Sequence, residues 1–318
     1  MKKLVAFVFC VILLGAFFTY NYVHTALLKP LSYSSPLVFE LEKGTSASKV
    51  ALKLTNQHLA AHPVLVRLAM RFYGFDKNLK AGEYLLEPNM CLKDILQKLT
   101  SGQVIMHRLT LPEGLTTVQM LKIINENKFL SGQITDTPAE GDLLPETYTF
   151  VKGTSKNTII KSAKKQMQKA IQNAWRRRQT DIPLQNEREL LILASLIEKE
   201  TGVNAERAKV ASVFYNRLNI NMPLQTDPTV IYALTQGLTD LNRSLTRKDL
   251  QIDSPYNTYK YKGLPPSPIC NPGIQALLAA ANPESTPYFY FVADGNGGHR
   301  FAKTLTEHNQ NIRLWLKK

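Results

Sequence analysis

Leu190-Leu191-Ile192-Leu193-Ala194-Ser195-Leu196-Ile197-Glu198-Lys199-Glu200-Thr201 is an apolar helical run that ends in two carboxylates separated by one lysine. Burial disfavours a charged carboxylate, so a glutamate held against apolar neighbours keeps its proton near neutral pH and can give it to a leaving group. On a helical wheel Glu198 and Glu200 project roughly 160° apart. The apolar direction summed over Leu190, Leu191, Ile192, Leu193, Ala194, Leu196 and Ile197 lies about 50° from Glu200, about 110° from Glu198 and about 150° from Lys199. The pattern therefore predicts Glu200 as a half-buried acid over Leu193, Leu196 and Ile197. Glu198, over Ala194 and Ser195, is expected to reach solvent beside Lys199. Two solvated residues at a helix end fit the same pattern.

Outward from this helix, 318 residues with 44% hydrophobic content can bury a core and suit two domains. At the N-terminus Met1-Lys2-Lys3 precedes an uncharged run from Leu4 to Val23, long enough to cross a bilayer. Tyr20 and Tyr22 sit where interfacial aromatics belong, and Lys2 and Lys3 predict a cytoplasmic N-terminus. No small-x-small site follows the run and Cys10 lacks a lipoprotein-like context, so a retained single-pass anchor is expected over a cleaved signal peptide. The body then lies outside the cytoplasm. There the formal charge of +14 meets lipid headgroups and cell-wall carboxylates rather than nucleic acid. Much of that charge (Lys161, Lys164, Lys165, Lys169, Arg176, Arg177, Arg178) falls on an amphipathic helix, where a solvated face explains it without a partner. The six histidines are scattered and Cys91 and Cys270 lie far apart, so neither a metal site nor a cofactor is expected, although the two thiols could pair outside the cytoplasm.

Residues 1–24 read as a cytoplasmic stub and anchor, and residues 25–36, with their prolines and serines, as a linker. A small domain over 37–103 follows: a strand over Leu37 to Leu41, a helix opened by Gly44-Thr45-Ser46, a second helix over 62–73, a strand over 81–86, and a helix ending before Gly102. That order suits a carbohydrate-reading module. The larger domain, 104–318, starts with a strand from Val104 to Leu111 and a helix from Thr116 or Thr117. Glu140 to Phe150 reads as a polar, aromatic loop lining a site. After the Glu200 helix, Asn204 is expected to cap the next one, which ends in Tyr215, Asn216 and Arg217. Leu224-Gln225-Thr226-Asp227-Pro228 opens a third, with Asp227 as cap and Pro228 as first residue; capping alone would account for Asp227. From Asp253 to Gly273 the prolines exclude a regular element, and Tyr256, Asn257 and Tyr259 are side chains suited to sugar rings. A hairpin over Tyr288 to Ala293 and His299 to Ala302 and a helix to Lys318 close the chain.

Leu193 to Thr201, Val210-Ala211-Ser212-Val213-Phe214-Tyr215-Asn216-Arg217-Leu218 and Leu224 to Tyr232 together resemble the endolytic murein transglycosylases, the MltG or YceG-like family. Tyr256-Asn257-Thr258-Tyr259, Gly263-Leu264-Pro265-Pro266, Asn271-Pro272-Gly273 and Tyr290-Phe291-Val292-Ala293-Asp294-Gly295 follow in the family's order. The resemblance implies an α+β architecture, with a small LysM-like subdomain and then a mixed α/β catalytic domain, behind one N-terminal transmembrane helix. It implies a single-pass inner-membrane enzyme that cuts nascent peptidoglycan strands internally between N-acetylmuramic acid and N-acetylglucosamine, beside penicillin-binding proteins and other cell-wall synthases. Glu200-Thr201 matches the family's catalytic Glu followed by a small hydroxyl residue. Tyr215, Asn216, Gln225, Asp227, Tyr256, Asn257 and Tyr259 are candidates for the cleft wall by position in these motifs, with Glu198 in support. Two rivals remain open: a muramidase that admits water, with Glu198 or Asp227 as second carboxylate, and a tethered peptidoglycan-binding protein without catalysis.

Overall fold

In a bilayer an uncharged apolar run must satisfy its own backbone, which a helix does. The computed structural model describes residues 2–316 and carries that run as α1 (Lys2–Leu28); the side chains of Lys2 and Lys3 lie outside the described residues, as do Met1, Lys317 and the expected helix end at Lys318. Phe7–Leu28 is long and apolar enough to span a membrane. The helix continues through Thr25 to Leu28, residues assigned above to a linker. Its last turn is held because Leu27 is buried in the first hydrophobic core and Val23 packs against that core.

The chain divides into two units. The first comprises residues up to His107 together with Phe150–Gly153. Besides α1 it holds β1 (Leu37–Leu41), α2 (Ala47–Asn56), α3 (Pro63–Phe72), β2 (Gly82–Leu86) and α4 (Leu92–Ser101). β1 and β2 pair antiparallel with Phe39 opposite Tyr84, both fully buried. Ser46 caps α2 by accepting the Lys49 N–H, and left-handed Gly102 ends α4. The Tyr84 hydroxyl donates to the Leu99 carbonyl at 3.1 Å, so the one polar atom on that ring is satisfied inside the core. Lys152, on the returning segment, pairs with Glu40 at 2.9 Å and Glu83 at 3.2 Å.

The second unit begins at Arg108. Its elements are most of β3 (His107–Thr110), α5 (Thr117–Glu126), β4 (Thr147–Phe150, paired with β3), α6 (Lys156–Arg176), α7 (Glu187–Glu200), α8 (Arg207–Asn219), α9 (Asp227–Thr235), α10 (Ile274–Ala281), β5 (Tyr290–Ala293), β6 (His299–Ala302) and α11 (Leu305–Leu316). The strand expected over 104–111 is confined to His107–Thr110, because Val104 packs against the first core. α7 runs through the middle. Every residue from Leu190 to Ile197 is buried, with α6, α8 and α10 packed around it. A helix covered on all sides has no solvent face to keep polar. α10 contributes Ala276, Ala279, Ala280 and Ala281 to the buried set, small side chains that let its backbone come close. Asn204 does not cap α8: it lies in the short turn Asn204–Glu206, and the helix starts at Arg207.

Gly82 sits at φ +147°, and a Cβ there would stand 2.4 Å from Val104 Cγ1. Gly82→Ala should therefore lower stability by about 1–3 kcal/mol in urea unfolding. Gly44→Ala, at φ +80° with open space around it, should show only the smaller backbone cost.

Candidate active site

The frame of the site is α7 and the proline-rich loop docked on it. Asn186 caps the helix, its Oδ1 accepting the Glu189 N–H at 3.0 Å, and Glu187 and Glu189 in the first turn complement the helix dipole. Ser195 and Glu198 stand three residues apart on one side. Ser195 Oγ accepts the Ile269 N–H at 3.1 Å, and Glu198 accepts the Gly273 N–H at 2.8 Å. A loop with so many prolines has few N–H groups and no ladder of its own, so the few it buries need acceptors supplied by side chains. Arg207 Nη2 completes the arrangement at 2.9 Å from Glu198, the two side chains being 4% and 5% exposed, and Glu113 stands 3.4 Å from the same nitrogen. Burial pushes the Glu198 carboxyl up, against the Gly273 hydrogen bond and the Arg207 charge. Glu198 thus does not reach solvent as the wheel implied. Loop and α8 cover the side of α7 that periodicity reads as polar.

Glu200 leaves the other side of the helix. It is half-buried in the lining of a cleft of about 460 Å³, beside Arg217, Gln225, Asp227, Tyr259, Tyr290 and His308. Burial raises its pKa above the ordinary glutamate value. The Thr226 hydroxyl, which donates to Glu200 Oε1, opposes the rise; the Asp227 charge adds to it, and His299 and Arg217 pull it back. The result is a carboxyl biased toward its protonated form in an open cleft, the condition for a general acid.

The cleft walls are set by backbone clamps. Arg217 donates from Nε to the Phe289 carbonyl at 2.7 Å and from Nη1 to the Leu224 carbonyl at 2.7 Å, which ties the 224 segment to the one entering β5. Its guanidinium lies 5.2 Å from the Tyr290 ring centroid, and burial lowers its pKa from the usual arginine value. Gln225 is left-handed at φ +51°, an uncommon state for a residue with a side chain, and its N–H donates to the Thr258 carbonyl at 3.1 Å. The Thr226 N–H donates to Thr258 Oγ1 at 3.1 Å, so buried Thr258 fixes both residues before α9. Asp227 accepts the Tyr259 hydroxyl at 2.6 Å. His308, from α11, stacks on Tyr290 with centroids 5.1 Å apart.

A model described as the YceG-like family matches residues 39–314. The chain belongs to the YceG-like family. It is 35% identical to a Bacillus subtilis (strain 168) protein named endolytic murein transglycosylase, over 94% of this chain and 90% of that one. A Streptococcus pneumoniae (serotype 2) protein of the same name is 29% identical over 94% of this chain and 62% of its own length. Among solved structures, a YceG-like protein of Listeria monocytogenes superposes with a TM-score of 0.53 at 34% identity, covering 87% of this chain and 99% of that one. The mixed helix and strand fold described above is accordingly the YceG-like fold.

Within this YceG-like chain the expected wall residues separate into two groups. Gln225, Asp227 and Tyr259 line the cleft with Glu200. Tyr215, Asn216, Tyr256 and Asn257 do not. Tyr215 is buried and donates to the Ala280 carbonyl; Asn216 donates to the Thr286 and Tyr288 carbonyls, both at 2.8 Å. Asn257 donates to the Leu250 and Ile252 carbonyls, and the Tyr256 ring lies 4.9 Å from that of Tyr232. Tyr215, Asn216 and Asn257 thus satisfy backbone carbonyls at a helix end and in loops, which claim the nearest donors, and Tyr256 shares a hydrogen bond with the Ser267 hydroxyl. Thr226, not Asp227, occupies the cap position of α9, with Asp227 and Pro228 as its first residues. The Thr201 hydroxyl accepts the Val203 N–H at 3.0 Å and turns the chain. The 140–150 segment does not line the cleft either: Glu140 accepts the Thr117 N–H at 2.7 Å and anchors the start of α5. None of the three cysteines is in a disulfide. Thr226, Arg217 and Tyr290 stood inside quoted motifs without being placed on the cleft wall, whereas His308 had no local signal at all.

Arg207→Met strands the buried Glu198 carboxylate and should cost about 3–5 kcal/mol in urea unfolding. Adding Glu198→Gln to that variant should recover part of the loss, since the uncompensated charge is then gone.

Proposed function

We propose that this chain is a membrane-anchored endolytic lytic transglycosylase that cleaves the bond between N-acetylmuramic acid and N-acetylglucosamine inside peptidoglycan strands, with Glu200 as its acid and base. The observation that carries the reading is Glu200 itself: a carboxyl whose pKa is raised by burial, lining an open cleft with Tyr259 and Tyr290. The relatives' names supply the substrate class.

Protonated Glu200 donates to the glycosidic oxygen, and the bond from that oxygen to C1 of the muramic acid breaks. The resulting carboxylate takes the proton from the C6 hydroxyl of the same sugar. That oxygen bonds to C1 and leaves a 1,6-anhydro end, with the proton count on Glu200 restored. Because nucleophile and electrophile share one ring, the attack starts at a large effective concentration and needs no activated water. Water-using glycosidases employ two carboxylates. Glu198 is tied to Arg207 and Gly273, so Asp227 is the carboxylate left for a muramidase reading.

Residues 37–103 in this reading form a LysM-like glycan-binding subdomain, supported by the β1, α2, α3, β2 order. The N-terminus is cytoplasmic and the catalytic unit lies beyond the inner membrane, where penicillin-binding proteins and other synthases make the strands it releases; the lysines of the first three residues support that orientation.

Digestion of purified glycan strands should yield anhydro ends, one water lighter than reducing ends by mass spectrometry; reducing ends alone would place a muramidase here. Glu200→Gln should lower kcat by about 10²–10⁴ with binding retained. Binding of glycan strands by the wild-type chain with no cleavage at all would leave only the tethered binding protein, and wild-type cleavage by a folded Glu200→Gln variant would remove Glu200 from the catalytic role.

The pH dependence follows from the sign of the shift. Activity needs the proton on Glu200, so kcat falls as pH rises through the raised pKa, and Thr226→Val, by removing a bond that favours the charged form, should move that limb to higher pH. The raised pKa also means that the folded state binds this proton more tightly than the unfolded one. Stability from Glu200 is present below the ordinary glutamate pKa and lost as pH rises through the folded value. Glu200→Gln should therefore raise Tm at pH 8 and leave it near wild type at pH 4.

A further inference from the structure

Helix α3 carries a second apolar surface besides the one it buries. Val66, Ala69 and Met70 face the first core. Val64, Leu68 and Phe72, spaced four apart and so on one stripe, are 41%, 49% and 69% exposed. Scattered exposed apolar residues need no explanation, but these lie beside the membrane helix. The Phe72 ring stands edge-on to that of Tyr20, 6.3 Å away, and Tyr20 is at the interfacial end of the apolar run. Between the helices runs a cleft of about 380 Å³, lined by Ala16, Tyr20, Val23, Leu68, Phe72 and Tyr73. Leu65, one turn earlier on α3, lines a neighbouring pocket with Val23 and Leu27, nearer the end of α1. α3 therefore descends alongside the last turns of α1, with Phe72 at the deeper end. Arg67 and Arg71 are exposed on the same helix, and their stems are long enough to reach phosphate groups.

We infer that the Val64, Leu68 and Phe72 stripe is a second membrane contact, immersed in the leaflet where α1 leaves the bilayer, with lipid acyl chains occupying the cleft between α1 and α3. Continuity with the apolar surface of α1 fixes the occupant. A soluble partner would have to approach at a depth that Tyr20 marks as interface. The contact would hold the first unit against the membrane instead of letting it swing on its tether. It rests on α1 being an anchor but not on the catalytic reading.

The test uses the full chain in vesicles of phosphatidylethanolamine and phosphatidylglycerol, with and without bromine on the acyl chains. Phe72→Trp, after subtraction of the parent signal, should give blue-shifted emission that is quenched by the brominated lipid. Leu238→Trp, in the other unit, serves as the exposed control and should be unquenched. Introducing Leu68→Glu and Phe72→Glu into Val64→Trp should abolish quenching at position 64. Since all three side chains are exposed, an unchanged Tm would show that the fold is intact. Flotation with the vesicles combined with solvent-like, unquenched Phe72→Trp emission would overturn the inference. Failure to float would remove the anchor and the inference with it, and would leave cleavage of glycan strands by Glu200 untouched.

Discussion

The larger unit depends on where a proline-rich loop finds acceptors for its buried N–H groups. Ile269 and Gly273 donate to Ser195 and Glu198, and this docking lets α7 be covered on every side. Without those two acceptors the loop would bury unsatisfied donors at a cost of about 1–3 kcal/mol each. With them, the helix that carries Glu200 becomes the centre of the core and not a surface element. Gly273 suits the point of contact because a Cβ there would meet the Glu113 carboxylate at 1.8 Å.

The same docking separates two carboxylates that are neighbours in sequence. Both are raised by burial, yet they differ in what they can do. Glu198 is enclosed by Arg207 and a backbone N–H, so its electrostatics serve the fold. Glu200 opens into a cleft and is touched by one hydroxyl, so its proton can leave. A raised pKa becomes chemistry only where the group can also reach a substrate. Arg217 works the other way round: it lines the cleft, but its Nε and Nη1 donate to backbone carbonyls that shape the wall.

The first unit shows the same economy on a smaller scale. β1 and β2 close over α2 and α4 with one hydroxyl, that of Tyr84, satisfied in the core. α3 faces two ways, with Val66 and Met70 inward and Leu68 and Phe72 toward the apolar flank of α1. A helix ordinarily keeps its outer face polar in water. On α3 the outer stripe is apolar instead, where it adjoins a helix long and apolar enough to span a membrane.

Periodicity, caps and breakers were enough to locate most elements. Leu37 to Leu41, the helix opened by Ser46, the helix stopped at Gly102 and the strand His299 to Ala302 fall where the local signals put them, because each is specified by residues within one turn or one strand. Motif order was enough to indicate the family, and the apolar wheel singled out Glu200. The sequence could not show which polar residues face the cleft. Asn216, Asn257 and Tyr215 look like ligand-binding side chains until the carbonyls they satisfy, up to 72 positions away, are seen. Ser195 and Glu198 read as a solvent face because a wheel knows nothing of a loop some 75 residues downstream. What the chain determined locally were its helices, the membrane-length apolar run at its start and the carboxylate on the apolar side of α7; what only the packed structure decided was which of its polar groups are used up in holding the fold and which are left facing the cleft.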